Sequence, residues 1–428
     1  AALVLVFSAF FIVPRLLRAG VTTVPEWLEQ RFDGRLRRYL SAVSIVLSIV
    51  LDTAGSLYAG AVVLMTFMPG LTLGWTCAAM ALFAGVYTIA GGLRAVVYTD
   101  VLQTVVLLVG SAVLCGIVLS RFDFSWTQIR DSVGADHLSL VQPLDDPAMP
   151  WLGLLIGVPV LGFYYWTMNQ YVAQRILGAR NIEQATRGAL LAAALKLLPL
   201  FLMVLPGALA ASLFVDLERG DQVFPMLVRE LAPVGLAGLI LSGLMAAIMS
   251  SVDSALNSAS TLITVDFVRP RRPDMSARAQ AALGRWITLG LMLFAALWAP
   301  MIDRFPGLFN YLQQGFAYVT PPLVAVFLLG RFWPQLGSVA AFRAVVLGHV
   351  ISAALFAAAQ WGWHAVHFTI VAGALCLLTA ALAVGLQLLR GVDTLALADD
   401  LTPPQAPALK RMAWGLVAAV VVMVLAFW

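Results

Sequence analysis

Along residues 244–260 the chain reads Leu-Met-Ala-Ala-Ile-Met-Ser-Ser-Val-Asp-Ser-Ala-Leu-Asn-Ser-Ala-Ser. Ser250, Ser254 and Asn257 fall at i, i+4 and i+7 and share one helical face. Ser251, Ser254 and Ser258 make the adjacent stripe. A row of hydroxyl oxygens suits a hard monovalent cation, because oxygen ligands replace its hydration shell. Small polar residues that pack helix against helix in a membrane are the ordinary alternative. Asp253 weighs against packing alone, since a carboxylate among hydroxyls brings a charge that packing does not need.

Three further polar interruptions sit in apolar surroundings. Lys196, in Ala-Leu-Lys-Leu-Leu-Pro, lies about ten residues into an apolar run, too deep for easy snorkelling to an interface. Residues 159–175 place Pro159 and Gly162 ahead of Tyr164, Tyr165 and Trp166 and the amides Asn169 and Gln170. This predicts a helix broken before the aromatic cluster, and broken helices expose backbone groups that bind solutes or ions near the midplane. Gly91-Gly92 through Gln103 reads as a short flexible loop, with Asp100 opening the next helix, where N-terminal capping is the ordinary alternative. Asp52 is one more carboxylate in mid-run, and the sequence assigns it no role.

These residues need a membrane around them. Of 428 residues, 61% are hydrophobic and 11% charged, with a mean hydropathy of +0.92. Soluble domains carry about 25% charged residues. Twelve apolar runs are candidate spans: 1–13, 39–67, 72–90, 100–120, 150–168, 187–213, 231–252, 281–301, 308–329, 338–357, 366–389 and 412–428. They are long and continuous, which favours an all-α polytopic membrane protein over a barrel. If the gap at 14–38 is cytoplasmic, 20 basic residues fall on that side and 5 on the other, a strong positive-inside signal. The net charge of +4 is therefore spread over short gaps, which argues against a nucleic-acid partner and for a lipid bilayer.

Several classes drop out. No gap is long enough for a soluble domain, and no GxxxxGK[ST] loop binds ATP phosphates, so energy would come from an ion gradient. Cys77, Cys115 and Cys376 lie inside apolar runs and fit neither a disulfide nor a metal framework. No cofactor is implied. A membrane-embedded enzyme is a remote alternative, because His137, His349, His364 and His367 are scattered over loops and span ends. The chain opens mid-run on Ala1, without the charged and cleavable regions of a signal peptide.

Together these stretches resemble the sodium/solute symporter family, in the branch of the sodium–sugar cotransporters. AAIMSSVDSALNSASTLITVDF is the most specific, similar to the family's serine-rich helix. GGLRAVVYTDVLQ resembles its loop ahead of a transmembrane helix, and YYWTMNQYVAQRILGARN its aromatic–amide–arginine stretch. TVPEWLEQRF and YLQQGFAYVTPPLVAVFLLGRFW match in part, in the same order, over about residues 14–335.

The resemblance implies an inverted five-helix-repeat (LeuT-like) fold. Residues 1–120 would be the remainder of the first repeat, 150–329 the second, and 338–428 additional C-terminal helices. Residue 1 would fall inside the second core helix, so that a leading helix and the broken first core helix lie upstream. It also implies a sodium site of the Ala247 carbonyl with the Ser250 and Ser251 hydroxyls. Asp100 would serve a second cation site or the sodium exit path, where Asp253 is grouped with it. Tyr165 would close over the solute as an inner gate, with Trp166 and Asn169 beside it. Lys196 and Gln313 match residues that contact sugar hydroxyls, whereas Gly162 stands where that branch has an asparagine contacting the sugar. The expected activity is sodium-coupled uptake of a small solute, a sugar or polyol, across a plasma membrane of the bacterial inner type. An organic acid or amino acid is the alternative solute, since Lys196 pairs with a carboxylate as readily as with hydroxyls.

Overall fold

The computed structural model describes residues 1–134, 138–214, 219–391 and 406–427, without the side chains of 87–99. His137 lies outside them. The helices that matter here are α1 (Ala2–Phe11), α2 (Val24–Arg31), α3 (Gly34–Leu47), α4 (Ala54–Phe67), α5 (Leu73–Ser120), α6 (Trp151–Phe163), α7 (Gln170–Leu177) and α8 (Ile182–Leu195). They continue with α9 (Val234–Leu262), α10 (Ala277–Trp298), α11 (Leu308–Val319), α12 (Pro321–Phe332), α13 (Ser338–Gln360), α14 (Phe368–Arg390) and α15 (Pro407–Ala426). Among the described residues, the β-type pairing is one isolated bridge, Gln142 to Pro150.

Among the described residues, each of the twelve apolar runs is largely helical. Nine helices among the described residues are long and apolar enough to cross a bilayer, and α11 with α12 forms a tenth, bent by 50°. Ala2–Phe11 and the first part of α5, Leu73–Val86, are apolar over shorter lengths. Three expectations need correction. The backbone expected to loop after Gly91 is helical within α5. The helix expected to break at Pro159 runs on through a π-helical turn, Tyr164–Met168, and breaks at Asn169. The serine-rich run extends its helix: α9 and its π-helical end reach Val268, well beyond residue 252.

The local chemistry explains where elements start and stop. Thr23 and Glu26 close a reciprocal capping box at α2, with Pro25 in its first turn. Asp33 accepts from the Arg35 and Leu36 amides to start α3. Pro321 and Pro322 begin α12 after the bend at Thr320, because a proline ring cannot continue the preceding helix without a break.

One apolar core joins α2–α7, α9–α14 and the Tyr164–Met168 turn. Small residues bring its helices close, as expected where lipid removes most of the hydrophobic drive between helices. A Cβ on Gly157 of α6 would fall 1.8 Å from the Thr369 carbonyl oxygen of α14. Gly153, four residues earlier, meets the same threonine. On α9, Gly243 meets Val106 of α5.

Buried charges stitch the ends. The Asp266 side chain is fully buried after α9, held by Arg37 at 2.7 Å and by the Thr23 and Ser41 hydroxyls. Arg31 donates to the carbonyls of Gly330, Trp333, Pro334 and Leu336, closing the end of α12. Arginines that read as orientation charges are thus also structural ties.

Gly157→Ala should lower stability by about 1–3 kcal/mol, because the Thr369 backbone must move to admit a methyl group. A fall in the unfolding midpoint in detergent checks this. An unchanged midpoint would mean that α6 and α14 do not approach so closely.

Candidate functional site

The serines of α9 face two other helices at one point. Asp100, on α5, accepts a hydrogen bond from the Ser250 hydroxyl through one oxygen and from Arg175 of α7, at 2.7 Å, through the other. Arg175 also donates to the Ser254 hydroxyl at 2.7 Å and to the Tyr171 carbonyl at 2.8 Å, with its guanidinium over the Tyr171 ring. Asp100, Arg175, Ser250 and Ser254 therefore tie three helices together. A hydroxyl that donates its proton to a carboxylate turns its lone pairs elsewhere, so Asp100 presents the Ser250 oxygen as an acceptor. Ser251 donates to the Ala247 carbonyl at 3.0 Å. Asp253 is buried on the same helix.

The break at Asn169 follows from its own side chain. The Asn169 Oδ1 accepts from the Tyr171 amide at 3.0 Å and caps α7, while its Nδ2 donates to Asp52 Oδ2 at 3.1 Å. Gln170 is buried beside it and binds the Val24 amide and the Thr22 carbonyl, so it serves the fold. At the other helix break, α8 ends at Leu195 and Lys196 caps it, three residues before Pro199. The Lys196 ammonium lies 4.5 Å from the Trp166 ring centre, a cation–π contact.

Two neighbouring cavities meet at these residues. One, of about 260 Å³, is lined by Asp52, Ser56, Tyr165, Leu308, Leu312 and Phe316. The other, of about 670 Å³, is lined by Asp100, Trp166, Arg175, Lys196 and Ser250. Tyr171, Ala247 and Ser251 line both, so two of the three expected sodium residues stand on their common wall, and Ser250 lines the larger cavity alone. The sequence-predicted solute residues are divided: Tyr165 faces the smaller cavity, Trp166 and Lys196 the larger. Gln313 lines neither; it is half-buried on α11, whose Leu312 and Phe316 face the smaller cavity instead. The sequence did not point to Arg175 as the partner of Asp100 and Ser254, or to Asp52 as a cavity residue. The only signal for Asp52 was a carboxylate in mid-span.

The sequence profile described as "SSF: Sodium:solute symporter family" matches residues 1–348. The chain belongs to the sodium:solute symporter family. Among curated relatives, this chain is 34% identical to the sodium/glucose cotransporter 1 of Oryctolagus cuniculus over 82% of its own length and 59% of that protein. It is 32% identical to a sodium/mannose cotransporter of Bos taurus over 98% of this chain and 76% of that protein. It is 34% identical to the sodium/myo-inositol cotransporter 2 of Mus musculus over 79% of this chain and 56% of that protein. The chain thus spans less than two thirds of the rabbit and mouse relatives. A solved Na⁺-coupled sialic acid symporter in a substrate-bound outward-open state superposes with a TM-score of 0.77 at 20% identity, over 92% of this chain and 85% of that one. The architecture is therefore the LeuT-like transporter fold expected from the sequence.

Asp100→Asn and Arg175→Gln should destabilise less in combination than the sum of their single effects, with a coupling of about 1 kcal/mol. Thermal unfolding of the four forms in detergent measures it. Additive effects would show that the pair does not hold the helices together.

Proposed function

We propose that this symporter couples inward sodium movement to uptake of a sugar or polyol by alternating access. The observation that carries the reading is the shared wall. Ala247 and Ser251, with Ser250 one residue away, stand between a cavity that holds Tyr165 and one that holds Lys196 and Trp166. An ion bound on that wall touches the boundary of any solute in either cavity. Family membership and the names of the relatives support sodium as the ion, and glucose, mannose and myo-inositol as the solutes to test first.

In this reading, sodium enters from outside and binds the Ala247 carbonyl and the Ser250 and Ser251 hydroxyls. Asp100 orients Ser250, and with Asp253 it marks a second cation site or the exit path. Solute binds against Tyr165, Trp166, Asn169 and Lys196, with Gln313 entering only if α11 turns. The inverted repeats, 1–120 and 150–329, would then rock against each other beside the C-terminal helices 338–428. A ligand shifts the states only by its differential affinity for them. The gradient adds about 2.3 kcal/mol per charge per 100 mV, plus the concentration term. The membrane would be a plasma membrane of the bacterial inner type.

In proteoliposomes, solute uptake should collapse when choline replaces sodium, and uptake that persists or follows protons would overturn the coupling. The double substitution Ser250→Ala with Ser251→Ala should raise the sodium needed for half-maximal uptake by about tenfold, the loss of one ligand's contribution or more. An unchanged sodium dependence would place the site elsewhere.

Lys196→Ala should weaken solute binding more than sodium binding. Equal weakening of the two, read from uptake at varied sodium and varied solute, would make Lys196 a structural residue.

A further inference from the structure

Asp52 is the charged group of the smaller cavity, and the symport mechanism above does not use it. It sits on a π-helical turn, Ser48–Thr53, midway along the helical span Gly34–Phe67. A π-turn inserts an extra residue and re-aims the side chains it carries, a feature found often at functional sites. The Ser56 hydroxyl donates to the Asp52 carbonyl at 2.7 Å and supports the loosened backbone. The orientation of the carboxylate is fixed from outside. Asn169, 2% exposed and locked as the cap of α7, donates to Oδ2.

The other carboxylate oxygen has no hydrogen bond among the described residues, and Asp52 lines the cavity. The described residues place no Arg, Lys or His in that lining. Arg175 is engaged by Asp100 and Ser254 and lines the other cavity. Lys196 faces that other cavity as well. The wall opposite Asp52 is apolar and aromatic: Leu308, Leu312, Phe316 and the ring of Tyr165.

An ionised carboxylate only accepts hydrogen bonds. In a confined, weakly polar cavity it demands donors, and it repels a second negative charge far more strongly than it would in water. Neighbouring hydroxyls of one solute satisfy the first requirement, and the apolar ring face of the same solute fits the opposite wall. A solute carboxylate meets neither condition.

We propose that Asp52 is a specificity-determining solute contact, which selects hydroxyl-rich solutes that carry no negative charge and excludes carboxylates. The inference rests on the symport reading and narrows its solute class: the organic-acid alternative that Lys196 left open is closed by Asp52.

The test uses the full chain in proteoliposomes, with labelled glucose, mannose and myo-inositol as tracers and unlabelled glucose, glucosamine and glucuronate as competitors. With the wild-type protein, glucuronate should compete at least about tenfold more weakly than glucose, and glucosamine within about threefold of glucose or better. In Asp52→Asn, the KM for the neutral tracer should rise by about tenfold. The sodium needed for half-maximal uptake should move by less than about threefold, and the disadvantage of glucuronate should shrink below about threefold. Glucuronate competing as well as glucose in the wild type, or discrimination that survives Asp52→Asn, overturns the inference and leaves symport standing. The wild-type competition decides the matter if the variant does not fold. Absence of sodium-dependent uptake for every tracer removes the symport reading itself, and the inference with it.

Discussion

The organising constraint is the cost of a carboxylate within an apolar helix bundle. An isolated charge in such surroundings is too expensive to keep without partners. The fold meets this cost in a different way at each site. Asp266 is enclosed by an arginine and two hydroxyls. Asp100 has an arginine on one oxygen and a serine on the other. Asp52 has one amide and a cavity. The gradation runs from full enclosure to open lining, and the proposed solute contact lies at its open end.

The first two carboxylates explain much of the architecture. Asp266 fastens the end of α9 to the turn before α2 and to α3, elements more than two hundred residues away in sequence. Asp100 fastens the middle of the same helix to α5 and, through Arg175, to α7. The helix that carries the serines of the proposed sodium site is therefore clamped at two points along its length by partners on other helices. Ser250 belongs both to the Asp100 clamp and to the proposed sodium site. Anything that binds Ser250 is thereby coupled to the helices that Asp100 holds, with no need for a longer pathway.

The fold class and the positions of its helices were legible because hydropathy in a membrane protein is governed by one requirement, that lipid cannot satisfy backbone polar groups. The serine-rich face was legible for the same reason: hydroxyls at helical spacing stand out in apolar surroundings. What escaped the sequence is long-range or depends on one capping side chain. Proline pointed to a break at 159, yet the helix absorbed Pro159 and gave way at Asn169, where an amide captures the next amide proton and starts a new helix. Tyr165, Trp166, Lys196 and Gln313 read as one group because each is polar or aromatic at depth. Which of them share a cavity depends on the rotation of each helix about its axis. A single residue's spacing does not fix that rotation, and here it divides Tyr165 from Lys196 and leaves Gln313 outside both cavities.

The two cavities differ in charge as well as in lining, and that difference bears on the coupling. The larger holds Lys196, Arg175 and Asp100, two positive groups against one negative; the smaller holds Asp52 alone. The wall between them carries neutral oxygens at Ala247 and Ser251. A sodium ion placed on that wall would lower the electrostatic cost of Asp52 on one side. On the other side it would oppose Lys196 and Arg175 and draw on Asp100. In the proposed arrangement the ion and the solute would thus act on the same carboxylate from opposite sides of one wall. Linkage gives their coupling a single sign in both directions: whatever factor the ion adds to solute affinity, the solute adds to the affinity for the ion.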